Sequence, residues 1–312
     1  MVYPSMERAL GKYADSMSLA HSTRFFGNCM FDISADGIQR VTDYDSRSIH
    51  RSAFSGTTAV RELVEQATNF AQTRIDMEPG VQQTMLGAWL FKMVNTALIT
   101  AIWGAVTVWM VRHLLSDQLT LRRVVSQVRS IDSASLDGGK MDVDHINRTC
   151  PMLVASAYET MRLHMTAVPR VAKQDFQVPV MDAASGSILR VKEGDLVVLP
   201  MASVNLDPAV WGSNVERFSP ERFLARDGSV SEAAVRRLRV FGVAGNMCPG
   251  RKLGLSAILF VTATVLRTFD IEPAAGDVRE ARSPPPEASP ELGIGLERVG
   301  GDVQATIRRI NV

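Results

Sequence analysis

Nineteen consecutive residues, Met93 to Val111 (MVNTALITAIWGAVTVWMV), carry no charge and stand between Lys92 and Arg112. A run of that length has two physical outlets: it crosses a bilayer, or it passes through the interior of a domain large enough to cover it on every side. Asn95, Thr96, Thr100, Gly104 and Thr107 interrupt the run and favour the buried central helix, with membrane association through 93–111 as the alternative. The chain can supply such an interior, since 46% of its 312 residues are hydrophobic. A second apolar stretch, Leu253 to Asp270 (LGLSAILFVTATVLRTFD), reads as another long buried helix.

Around these two helices the texture varies. From Ser5 to about Leu90 the pattern is helical, clearest over Val60 to Ile75, with loops near Gly27, Ser52 to Thr58 and Glu78 to Val81. The central helix is expected to end near Leu115, with Ser116 and Asp117 able to cap a following helix over Leu119 to Ser130. A loop over Ser130 to Asp144 leads to a helix over Val143 to His164. Beyond Pro169, short apolar stretches (Arg170 to Val180, Ile188 to Val191, Leu196 to Leu199) broken by Gly186 and Gly194 read as strands. A proline-rich loop, Ala281 to Ser289, precedes a last pair of strands over Gly295 to Val299 and Val303 to Ile310. The fold class is therefore mainly α with a small β-rich portion. Lys plus Arg (34) nearly balance Asp plus Glu (33), which argues against a nucleic-acid partner. Cys29, Cys150 and Cys248 form neither a CxxC pair nor an even set, so a reducing, intracellular setting fits best. Met1 to Ala20 has no apolar run that would make a signal peptide or anchor.

The chemistry is concentrated in Phe241 to Gly254, FGVAGNMCPGRKLG, where a glycine-rich turn delivers Cys248 just ahead of a long helix. Glycines allow the backbone to pass close beneath a flat macrocycle, and a helix N-terminus favours a thiolate. Upstream, Glu159-Thr160-Met161-Arg162 places two opposite charges at i, i+3 on one helix face, either as a solvated pair or as something more constrained. Between them stands Phe218-Ser219-Pro220-Glu221-Arg222-Phe223.

In this order the three segments resemble the cytochrome P450 family, with its ExxR helix, PxRF segment and FxxGxxxCxG cysteine loop. Phe241, Cys248 and Gly250 match the loop, while Ala244 stands at its first glycine with Gly245 beside it. The resemblance implies a haem-thiolate monooxygenase that inserts one oxygen atom of O2 into an apolar small molecule, in secondary-metabolite biosynthesis. It implies haem b (iron protoporphyrin IX) with Cys248 as axial ligand, and Glu159, Arg162 and Arg222 as a buried structural network. Arg170 would pair with a haem propionate or be a surface strand arginine; Asn246, where many members have a basic residue, could donate to a propionate. The central helix lacks the family's acid, leaving Thr100 and Thr107 as its hydroxyls, each a candidate for proton delivery or for back-bonding to the helix. Electrons would come from NADPH through cytochrome P450 reductase at the endoplasmic reticulum surface.

The resemblance also frames the organisation: a single P450-like domain over 1–312 that lacks the family's N-terminal part, with helical scaffold over 1–85, the central distal helix over 86–115, and the ExxR helix, strands, cysteine loop and proximal helix over 116–312. Two alternatives follow from the departures. The acid-free central helix suits a reductase-independent isomerase or dehydratase, and the short N-terminal part suits a degenerate relative without activity.

Overall fold

The computed structural model describes residues 17–18, 73, 77–78, 80–86, 89–90, 100–131, 143–179, 188–242, 248, 250–273 and 304–310. The expected loops near 27 and 52–58, the segment 132–142, the proline-rich loop, the strand over 295–299, and Cys29, Ala244, Gly245 and Asn246 lie outside these residues.

Three long helices form the core: α1 (Thr100–Ser116), α4 (Pro151–His164) and α8 (Arg251–Thr268). They pack on one another, and α2 (Gln118–Arg129) lies against all three. Gly104 and every residue from Val106 to Val111 are buried, together with Leu114 and Leu115, so the middle of α1 is covered on every side. Burial by protein accounts for the uncharged character of the described part of the run, Gly104 to Val111. No helix among the described residues is long and apolar enough to cross a membrane.

In contrast, α2 buries one stripe, Thr120, Val124 and Val128, at i, i+4, i+8, and leaves Leu119 in solvent. Its cap is Asp117, whose Oδ1 accepts the Thr120 N–H at 3.2 Å while Oδ2 accepts the Thr120 hydroxyl at 2.7 Å. The stretch expected as one helix from Val143 to His164 is two, α3 (Val143–Thr149) and α4, parted at Cys150. Pro151 is the reason: it lacks an N–H to continue α3 but suits the first position of a new helix. The orphan N–H of Met152 is taken by Gln127 Oε1 of α2 at 3.0 Å.

The sheets correct the expectation that everything before the central helix is helical. β1 (Met17–Ser18) pairs antiparallel with β3 (Val168–Ala172), which also pairs with β6 (Leu196–Leu199). β2 (Val81–Met85) pairs with β8 (Gln304–Arg309), which in turn pairs with β7 (Phe269–Pro273). β4 (Phe176–Pro179) and β5 (Ile188–Val191) form a two-stranded ladder. Partners remote in sequence therefore override the local helical texture of 81–85. The second apolar helix ends at Thr268 rather than Asp270 for the same reason, because Phe269 begins β7. Between β6 and α8 lie the short helices α5 (Met201–Asn205), α6 (Pro208–Trp211) and α7 (Glu232–Arg237), with a 3-10 turn at Pro220–Phe223.

Candidate functional site

The i, i+3 spacing of Glu159 and Arg162 on α4 turns both side chains inward, where neither has any solvent exposure. Arg162 donates from Nε to Glu159 Oε2 at 2.8 Å and from Nη2 to Oε1 at 2.9 Å, a bidentate fork. The remaining lone pairs of Oε1 take the Ser219 N–H at 3.0 Å and Arg222 Nε at 3.3 Å. Arg162 spends its other N–H groups on the main-chain carbonyls of Asn205 (2.8 Å) and Val215 (2.6 Å), and its guanidinium carbon lies 5.6 Å from the centre of the Trp211 ring. Arg222 donates to the carbonyls of Trp211 and Asn214. Gly212, between them, has φ +87, a conformation that glycine alone adopts without strain. Every charge in the cluster thus has a partner, as buried charges require.

Cys248 sits ahead of α8, half-buried and free. Its N–H donates to the Phe241 carbonyl at 2.6 Å, and its own carbonyl accepts Nη1 of Arg251 at 3.2 Å. Gly242, with φ +86, is the turn residue that needs to be glycine. Gly250 is not strained, and a Cβ there would meet only Cys248 Sγ at 3.9 Å, an ordinary contact. Burial pushes the Cys248 thiol up, against weaker pulls from the backbone N–H groups of Gly250 and Arg251 and from the Arg251 charge. The bias toward thiolate at a helix N-terminus is thus opposed by burial, and a metal cation bound at the sulfur would favour the thiolate.

A third cluster was not anticipated from sequence. His113 of α1 and His164 of α4 approach Nε2 to Nε2 at 2.7 Å, so one imidazole donates and the other accepts. Trp109 stacks on His164 with centroids 3.8 Å apart, and Phe218 stacks on His113 at 4.5 Å. Burial first, then His164 and Arg112, hold His113 well below the usual imidazole range. Fifty-one positions separate the two histidines, and nothing local in either helix marks them as a pair.

The family model of cytochrome P450 matches residues 107–297. The chain belongs to the cytochrome P450 family. Among curated P450-related proteins, the chain is 28% identical over 173 residues to 5-OH-xanthotoxin synthase of Ammi majus, covering 55% of this chain and 33% of that one. It is 28% identical over 182 residues to cytochrome P450 monooxygenase nodJ of Hypoxylon pulicicidum, again 55% of this chain and 33% of the other. A cytochrome P450 monooxygenase of Gibberella zeae is 24% identical over 238 residues, 74% of this chain and 44% of its own. The chain thus spans a third to under a half of the length of these relatives.

Against this P450 frame, the structure brings together Glu159, Arg162 and Arg222, and joins Phe241 to Cys248. Thr107 is fully buried within α1; Thr100 is its first residue, and its side chain lies outside those described. Arg170, one candidate reading of which was a surface strand arginine, is buried on β3 and donates from Nη1 to the Pro169 carbonyl at 2.7 Å. The chemistry at Cys248 fits a haem iron: a free, half-buried sulfur approached by the backbone N–H groups of Gly250 and Arg251.

Proposed function

We propose that this chain is the haem-binding part of a haem-thiolate monooxygenase, with Cys248 as axial ligand and an apolar small molecule, of the kind made in secondary metabolism, as substrate. The observation that carries the reading is the half-buried Cys248 sulfur at the head of α8, supported by the Gly250 and Arg251 N–H groups and joined through Phe241 to the segment leading from the ExxR network. Haem b, when bound, supplies reductive activation of dioxygen, with electrons from NADPH through cytochrome P450 reductase at the endoplasmic reticulum surface. The chain's own residues supply the rest. Glu159, Arg162 and Arg222 would hold the scaffold that presents Cys248, Arg170 and Asn246 would be the candidates to donate to the haem propionates, and Thr107 or Thr100 would supply a hydroxyl from the central helix. The fungal and plant relatives support the substrate class, since a P450 monooxygenase of Hypoxylon and a xanthotoxin-type synthase are among them.

The test is the reduced carbonyl spectrum of the purified chain loaded with haem. A thiolate-type Soret band that disappears in Cys248→Ser is expected; the same spectrum with and without the cysteine would remove the proposal. The absence of an acid from α1 favours one second reading, an isomerase or dehydratase that needs no reductase. Turnover of an organic hydroperoxide without NADPH would favour it, and strict dependence of turnover on reductase would exclude it.

A further inference from the structure

The ExxR network and the cysteine loop are separate clusters, yet one residue spans them. Asn205, the last residue of α5, is wholly buried. Its main-chain carbonyl takes Nη1 of Arg162 at 2.8 Å. Its carboxamide faces the opposite way: Nδ2 donates to the Arg239 carbonyl at 3.0 Å, and Oδ1 accepts the Arg239 N–H at 2.9 Å. These two bonds reproduce the exchange between paired residues of an antiparallel ladder, with a side chain standing in for a strand. Two residues further on, the Phe241 carbonyl accepts the Cys248 N–H at 2.6 Å.

The chemistry of the contact restricts the residue. Donation and acceptance from one planar group, at the reach of one methylene, is available to asparagine; aspartate has no donor and leucine has neither function. Leu238 and Val240 are buried on either side of Arg239, so the segment is held by packing as well as by the amide pair. Packing limits how far the segment moves from α5, while the paired bonds set its register along the chain. The register of Arg239 fixes where the Phe241 carbonyl lies, and that carbonyl anchors the cysteine.

The geometry points to Asn205 as a positioning residue for Cys248, carrying the fixed orientation of the Glu159–Arg162 fork to the loop that presents the sulfur. It rests on the haem-thiolate reading for its purpose, though not for its structural test. Because the Arg162 bond uses the main-chain carbonyl, Asn205→Leu removes the amide pair and leaves the charge network in place.

The experiment compares wild type, Asn205→Leu and Asn205→Asp as full-length chains. In the haem-free protein, alkylation of Cys248 and of Cys150 by iodoacetamide is followed by peptide mass spectrometry. Cys150, completely buried at the start of α4, reports general loosening. In Asn205→Leu, Cys248 is expected to react about tenfold faster, the change two ordinary hydrogen bonds would produce, with Cys150 unchanged. Asn205→Asp keeps the acceptor but sets a carboxylate oxygen against the Arg239 carbonyl, so it is expected to free Cys248 at least as much as the leucine variant, and it carries the comparison alone if that variant does not fold. In the haem-loaded protein the same variants should convert part of the thiolate-type carbonyl band to the form given by a neutral thiol. Equal acceleration at both cysteines, or none at either, would overturn the assignment. A wild-type chain that never takes up haem defeats the proposed function instead, while the alkylation comparison still judges Asn205.

Discussion

Glu159 receives four hydrogen bonds with no water to replace any of them, so the cost of losing a partner there is set by desolvation rather than by the attraction itself. Glu159→Gln leaves Arg162 an unpaired buried cation and is expected to lower unfolding free energy by about 3–5 kcal/mol in urea titration. Arg222, whose side chain keeps 16% exposure, should cost less on replacement by leucine, about 1–3 kcal/mol. Equal losses for the two would mean that burial does not rank them. The opposite situation holds on α8, where, among the described residues, the buried hydroxyls of Thr262 and Thr264 have no hydrogen-bond partner. Thr262→Val keeps the shape and removes an unsatisfied group, so a gain of about 1 kcal/mol is expected in the same titration. Some of this could be read from sequence, because i, i+3 spacing forces Glu159 and Arg162 onto one face. What closes the network could not, because the carbonyls of Asn205, Val215, Trp211 and Asn214 belong to the backbone and leave no trace in residue type.

Two helices meet at the imidazole pair, and their contact carries a pH dependence. His113 is held toward the neutral form in the folded chain by burial and by its neighbours His164 and Arg112, whereas in the unfolded chain it titrates near the ordinary imidazole value of about 6.5. A depressed folded pKa means that the unfolded state binds the proton first as pH falls. Stability is therefore complete above about pH 7.5 and declines below 6.5, by up to about 1.4 kcal/mol per pH unit, until the folded pKa is reached. The groups described around His113 are Arg112, Trp109, His164 and Phe218, none of them an acid that would compensate. His113→Phe retains an aromatic ring against Phe218 and should flatten this acid limb in urea midpoints measured from pH 5 to 8; an unaltered slope would place the proton uptake elsewhere. Helix identity was the most readable level of this chain, since periodicity and the Asp117 cap already marked α2. Helix contacts were not, because a pair such as His113 and His164 becomes visible only once α1 and α4 are packed.

Across the whole molecule, β8 ties the residues before the central helix to the end of the proximal helix. It is the middle strand of its sheet, with Val81 opposite Arg308 on one side and Ile271 opposite Ile307 on the other. Around it, Trp89 donates to Glu78 at 2.8 Å and packs edge-on against Phe269, while Arg309 donates its N–H to the Gly80 carbonyl at 2.6 Å and lies over the Phe269 ring. The strand character of 304–309 is evident from sequence, yet its partner β2 falls where the sequence reads as a loop at Glu78 to Val81 running into helical texture. Pairings over two hundred residues apart are decided by the packed fold rather than by local pattern. Ala305 and Ile307 supply the buried face of β8, both with no exposure. Ile307→Ala opens a cavity where β2, β7 and β8 meet the helices and is expected to cost about 2–5 kcal/mol. Removing residues 304–312 takes away both ladders at once and leaves β2 and β7 with unpaired edges and exposed apolar faces. The shortened chain should therefore lose its sharp urea transition and bind a hydrophobic dye before denaturant is added. Retention of a single wild-type-like transition would show that the helical core is stable without the strand linking its two ends.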